Sequence, residues 1–142
     1  MKIEVAVALL IHDGKWLLQL RDESPEIIAP GCWGLFGGHL EEKETPEQAV
    51  KRELLEEISW YPKKIDHCFN YETETHSISV FRAMINVPLT QLKLREGQDF
   101  KLATKAEINS GMIWSEKLYQ FREIAPILKK LINNDLDRER TL

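Results

Sequence analysis

Residues Gly37–Ser59 read GGHLEEKETPEQAVKRELLEEIS. The stretch parses as a glycine turn, an acidic loop and a helix. Thr45 suits the N-cap, Pro46 the first helical position, and Gln48 closes a capping box. Strong helix formers follow. At ~100° per residue, Val50, Leu54 and Ile58 form an apolar stripe with Leu55 on its far flank. Glu53, Glu56 and Glu57 fall together on a neighbouring face, where spacings of three and four residues make their carboxylates neighbours.

Clustered carboxylates repel, so the face needs an explanation. One reading is a solvated acidic surface, relieved by pairing of Arg52 with Glu56 and of Glu47 with Lys51. The other is a site for a hard divalent cation, because carboxylate oxygens suit Mg²⁺ or Mn²⁺. The helix alone leaves both open. Immediately upstream, Pro30–Gly38 (PGCWGLFGG) reads as a short strand between glycines. Glycine lets backbone approach a ligand closely. Trp33 is read either as core filling or as a wall of a substrate cleft.

Gly38, Glu44, Arg52, Glu53, Leu54, Glu56 and Glu57 follow the spacing G-x5-E-x7-R-E-U-x-E-E, with U aliphatic. This resembles the Nudix box of the Nudix hydrolase family, of MutT-like type. Pro30, Gly31, Trp33, Gly37 and Gly38 resemble the PG-x-W-x-x-x-GG lead-in of many such sequences. The resemblance covers Ile3 to about Leu131 and is specific from Pro30 to Ser59. Lys43 and Ser59 depart from it, standing where the family commonly has glycine. For Ser59 the sequence leaves two options: a left-handed cap, or a helix running on towards Tyr61 before Pro62.

The resemblance implies an α/β protein, the Nudix α/β/α sandwich with a mixed β-sheet and flanking helices. It also implies Mg²⁺-dependent hydrolysis of a nucleoside diphosphate linked to some group X, with Mn²⁺ able to substitute. Cations would let an acidic site hold phosphoanhydride oxygens and would acidify an attacking water. Carried over by position, Glu53, Glu56, Glu57 and the Gly37 carbonyl hold the metal, and Glu53 also acts on the water. Arg52 is a positioning residue paired with Glu44. Arg21, otherwise a solvated strand end, stands where the family often places a basic residue against phosphate, and His39 is a second candidate for phosphate contact. Glu96-Gly97-Gln98 resembles the E-G-Q of MutT-type members, which act on nucleoside triphosphates and favour oxidised purines. Glu96 is therefore a candidate second base or ligand, delivered by a loop that Gly97 makes flexible, with Asp99 and Glu107 as weaker stand-ins. Nucleotide sugars or ADP-ribose are alternative substrates, and a non-catalytic nucleotide-sensing module is an alternative role. Phe36, Tyr71 and Phe81 are the candidate base-stacking residues.

The remaining features bound this reading. The 142 residues suit one domain with a real core. We expect that domain over 1–134, with 135–142 as a polar tail. A net charge of −4 and no Lys/Arg run exclude general nucleic-acid binding. The partner the resemblance implies is a small nucleotide-type molecule, and a homodimer is admitted. Two cysteines, Cys32 and Cys68, without metal spacing suggest a reducing compartment. The apolar run Val5–Ile11 is too short to span a membrane and lacks a signal-peptide pattern, so a cytoplasmic location is expected. Ile3–Ile11 and Trp16–Arg21 read as strands joined by a hairpin turn at His12–Lys15. Lys63–Glu72 and His76–Val87 read as two more strands, and Phe100–Ala103 as another. Thr104 caps a short helix through Ile108. Ser115 is read as the cap of a final helical region with Leu118, Phe121, Ile124, Ile127, Leu128 and Leu131 as its apolar positions, kinked or restarted at Pro126.

Overall fold

The computed structural model describes residues 1–133; the tail expected at 135–142 lies outside them. The elements are β1 (Ile3–His12), β2 (Lys15–Leu20), β3 (Trp33–Gly34), β4 (Phe36–His39), α1 (Pro46–Ile58), β5 (Asp66–Glu72), β6 (His76–Met84), β7 (Asp99–Ala103), α2 (Lys105–Ser110), β8 (Met112–Ser115), β9 (Gln120–Glu123) and α3 (Pro126–Leu131).

β1 is apolar almost throughout because both of its faces are covered. Side chains alternate along a strand. Val5, Leu9 and Ile11 therefore join one core with Trp16, Leu18, Ile108, Leu128 and Leu131. Ala6, Ala8 and Leu10 join a second core with Ala49, Val50, Leu54 and Ile58 of α1. The small Ala6 and Ala8 lie where α1 packs against β1. The result is the expected sandwich, a seven-stranded mixed sheet with α1 on one face and α2 and α3 on the other.

The sheet has one irregularity that matters for the site. The β1–β2 hairpin pairs only from Leu10–Leu17 to His12–Lys15. Beyond that the two strands separate, and residues 33–39 enter the gap. There β3 pairs with Gln19 and Leu20 of β2, and β4 pairs with Val5 to Ala8 of β1. β7 adds to the other edge of β2, and β6 runs parallel to β1 with β5 beyond it. Gly37 sits in the wedge opposite Val7 with φ 145°. A Cβ there would lie 2.1 Å from the Ala6 carbonyl oxygen. The glycine is thus required by close strand packing, whatever approaches from outside.

α1 has the expected start. The Thr45 hydroxyl accepts the Gln48 N–H at 3.1 Å and the Gln48 side chain accepts the Thr45 N–H at 2.9 Å. Its end resolves the alternative at Ser59, which adopts the left-handed conformation (φ 58°, ψ 36°) and closes the helix. Lys43, the other departure from the family pattern, is also left-handed at φ 64°.

The C-terminal region corrects the sequence reading. No helix starts at Ser115; β8 and β9 form a hairpin there, and among the described residues that follow, the helix α3 runs from Pro126 to Leu131. Ser115 does cap, but it caps the hairpin turn. Its hydroxyl accepts the Leu118 N–H at 3.1 Å, and Tyr119 reverses the chain at φ 56°. Across the hairpin, Trp114 meets Tyr119 and Phe121 edge-on, with ring centroids 5.0 and 5.1 Å away. Such cross-strand aromatic pairs outweigh an apolar spacing that also suited a helix. Pro126 starts α3, and Leu128 and Leu131 are buried as expected.

Candidate active site

The acidic face of α1 meets the wedge formed by β4. Glu57 is 3% exposed although it is a carboxylate. Its Oε1 accepts the Gly37 N–H at 2.8 Å and its Oε2 accepts the Gln19 side-chain amide at 3.1 Å. Glu53 lies one turn earlier and faces Gly38, where a Cβ would come within 2.6 Å of the Glu53 carboxylate. The Gly37-Gly38 pair therefore has two causes: the first glycine clears a strand, the second clears an acid.

Glu53, Glu57 and Glu96 come together, each offering a carboxylate oxygen within 4.8 Å of the others. Burial, then the neighbouring Glu53 charge, push the Glu57 carboxyl up to about 8. Burial also raises Glu53, against the opposing effect of Arg52. Glu56 stands apart from the three. It is exposed on the outer flank of α1, with its carboxylate 3.4 Å from Arg52 Nη1.

Arg52 holds the surrounding loop. Its Nε and Nη2 donate to both oxygens of Glu44 at 2.7 and 2.9 Å, Nη2 also donates to the His39 carbonyl at 3.1 Å, and Nη1 donates to Glu53 at 3.0 Å. The fork matches a carboxylate in a way lysine does not. The paired guanidinium holds the Glu44 carboxyl down at about 2. Arg52 thus fixes the 39–44 loop and orients Glu53 in one move.

A cleft of about 930 Å³ opens beside these acids. Arg21 and His39 line it, as do Tyr71 and Ile78 at its apolar end. Arg21 Nε donates to the Ile28 carbonyl at 2.6 Å. Burial lowers its pKa and the charge of Glu57 opposes this. Of the three candidate stacking residues only Tyr71 lines the cleft; Phe36 and Phe81 are 0% and 3% exposed and belong to the α1-side core. Trp33 fills the other core, its indole N–H donating to the Ile113 carbonyl at 3.0 Å.

Around Glu96 the loop is hydrogen-bonded to its neighbours on either side of Gly97. Arg95 N–H donates to the Glu57 carbonyl at 2.7 Å, and Gln98 N–H donates to Leu20 O at 2.8 Å. Gly97 is needed because a Cβ would lie 2.8 Å from Gln19 Cγ. The stand-in acids are committed elsewhere. Asp99 accepts the Ser115 hydroxyl at 2.8 Å, and Glu107 completes the capping box of α2. Gln19 escaped the sequence reading. Its signal was a polar residue interrupting the apolar strand WLLQL.

The donor set is all oxygen and includes a carboxylate that is buried with hydrogen bonds but, among the described residues, no ion pair. That chemistry fits a hard divalent cation.

Comparison with known proteins agrees with the geometry. Residues 2–121 match the NUDIX domain. The oxidized purine nucleoside triphosphate hydrolase of Danio rerio is 32% identical over 85 residues, covering 56% of this chain and 53% of that protein. The chain thus spans about half the length of that relative. The CTP pyrophosphohydrolase of Escherichia coli (strain K12) is 27% identical over 112 residues, 79% of this chain and 74% of that protein. Among solved structures, the MutT NUDIX hydrolase of Burkholderia pseudomallei shares the fold with TM-score 0.71 at 20% identity, covering 93% of this chain and 96% of that one. The NUDIX domain of Shewanella oneidensis NrtR, solved with ADP ribose, gives TM-score 0.71 at 22% identity over 97% and 88% of the two chains.

Proposed function

Since the chain belongs to the NUDIX domain family, we propose that it is a Mg²⁺-dependent pyrophosphohydrolase acting on a nucleoside diphosphate linked to some group X, with nucleoside triphosphates as the leading substrates. The observation that carries this reading is the buried Glu57 carboxylate, set with Glu53 and Glu96 at the edge of a large cleft. The names of the two enzyme relatives, which act on oxidised purine triphosphates and on CTP, point to the same substrate class.

In this reading Glu53, Glu57 and Glu96 would hold Mg²⁺, with the Gly37 carbonyl and Glu56 as the further candidate ligands; Mn²⁺ would substitute. The bound cation would neutralise polyphosphate charge and acidify the attacking water. The protein's own residues do the rest. Glu53 accepts the water's proton, with Glu96 as the alternative base. Arg52 and Glu44 keep the 39–44 loop and Glu53 in place. Arg21 and His39, both in the cleft wall, contact the phosphates, and Tyr71 offers a ring for the base to stack on.

The test is a hydrolysis screen over nucleoside triphosphates, including oxidised purines, and over nucleotide sugars and ADP-ribose, with products read by mass. Monophosphate and pyrophosphate from a triphosphate are expected with Mg²⁺ and not in excess chelator. Equal turnover in chelator would refute the metal assignment. Cleavage confined to nucleotide sugars or ADP-ribose would move the substrate class, and nucleotide binding without turnover would favour a sensing module.

A further inference from the structure

We propose that Gln19 is a positioning residue that sets the spacing between the carboxylates of α1 and the Glu96 loop, and so tunes cation affinity; the inference rests on the metal site proposed above. Gln19 lies on β2 and is 4% exposed. Its backbone is fixed from both sides, paired with Gly34 on one edge and Phe100 on the other. From that rigid base its Nε2 makes two bonds, to Glu57 Oε2 at 3.1 Å and to the Glu96 backbone carbonyl at 3.0 Å.

The chemistry of the amide matches this position. A side-chain NH₂ has two hydrogens and no more. One is directed at an acid on a helix 38 residues away in sequence, the other at the backbone that carries a second acid 77 residues away. Neither the isosteric glutamate nor an aliphatic residue of that size does both. A glutamate would add a fourth negative charge, and an aliphatic residue would leave two buried acceptors unpartnered. Other bonds close the arrangement. The Gly37 N–H holds the second oxygen of Glu57, and Gln98 donates its side-chain amide to the Arg21 carbonyl at 2.8 Å. Gly97 lies so close that a side chain there would strike Gln19 itself. Each oxygen of Glu57 is thus fixed by one donor and retains acceptor capacity towards the cleft. Groups that orient ligands in this way typically change metal affinity 10–100-fold.

The experiment measures Mn²⁺ binding calorimetrically without substrate, in the whole chain, for wild type and Gln19→Met. Methionine keeps the length and removes both donors. Affinity is expected to fall about 10–100-fold, with kcat reduced more than KM is raised. A cycle with Glu96→Gln supplies a readout that simple destabilisation would not move. If Gln19 acts by placing Glu96, Glu96→Gln lowers affinity strongly in wild type and little in the Gln19→Met background. Folded Gln19→Met with wild-type Mn²⁺ affinity, or effects of the two substitutions that multiply independently, would overturn the proposal. If Gln19→Met does not fold, Gln19→Asn decides: it keeps the amide but draws it back by one methylene, and unchanged affinity in it is equally fatal. Wild-type protein that binds no Mn²⁺ would instead overturn the metal site itself, and this inference with it.

Discussion

Burying a carboxylate is costly unless something offsets its charge. Glu57 has hydrogen bonds from Gly37 and Gln19, yet its carboxyl still rises to about 8. In the unfolded chain it would titrate near 4.5. The folded, metal-free protein therefore holds a proton that the unfolded chain has released, and stability falls as pH climbs from about 4.5 through about 8. We expect the metal-free protein to melt lower at pH 8.5 than at pH 6, and Mg²⁺ to restore the loss. Glu57→Gln should flatten that dependence, melt above wild type at pH 8.5, and lose at least ~10²-fold in activity. A wild-type melting curve that does not move over this range would contradict the assignment. At this scale the sequence was legible where helical periodicity rules. One 100° step, which separates Glu56 from Glu57, was not enough to tell which would be buried, because that depends on where β4 lies.

For α1 the informative position is its end. Ser59 carries a left-handed conformation that costs a residue with a Cβ ~1–2 kcal/mol. Its hydroxyl also accepts a bond from Arg95 Nε. Ser59→Gly relieves the first and forfeits the second, which is worth ~0.5–1 kcal/mol. We expect a net gain of roughly 0.5–1 kcal/mol, or about 2–3 °C in a thermal melt; a lower melting temperature would mean that the Arg95 contact dominates. The start of this helix could be read from Thr45 and Gln48 because a capping box is local chemistry, whereas Ser59 left two endings open and only the fold decided between them. The β8–β9 hairpin could not be read, since Leu118, Phe121 and Ile124 at threefold spacing suit a helix equally well and the deciding partner, Trp114, belongs to the other strand. Glu96 illustrates the same limit. Gly97 reads locally as a hinge, whereas the loop around it is hydrogen-bonded to β2 and to the end of α1, contacts that no local reading contains.

Across the whole molecule, strand and helix patterns made a mixed sheet with helices legible, and the sandwich itself came from the family resemblance. The separation of β1 from β2 was not legible. Nothing in WLLQLR announces that the hairpin opens after three residue pairs to admit residues 33–39. That wedge has a consequence for motion. β4 carries Gly37 and Gly38 and is paired to the central strand of the sheet, so the floor of the site is expected to open only with that strand. Many ligand sites rest on segments that open locally; the pairing of β4 with β1 predicts no such freedom at the base of this one. In native-state hydrogen exchange, the hydrogen-bonded amides of β4 should be as protected as those of β1 from Ala6 to Ala8, exchanging only when the whole domain unfolds. Earlier exchange confined to β4 would show that the floor peels away by itself. If protection is uniform, the protein accommodates its substrate by moving the cleft's rim, and the acids wait for it in a fixed frame.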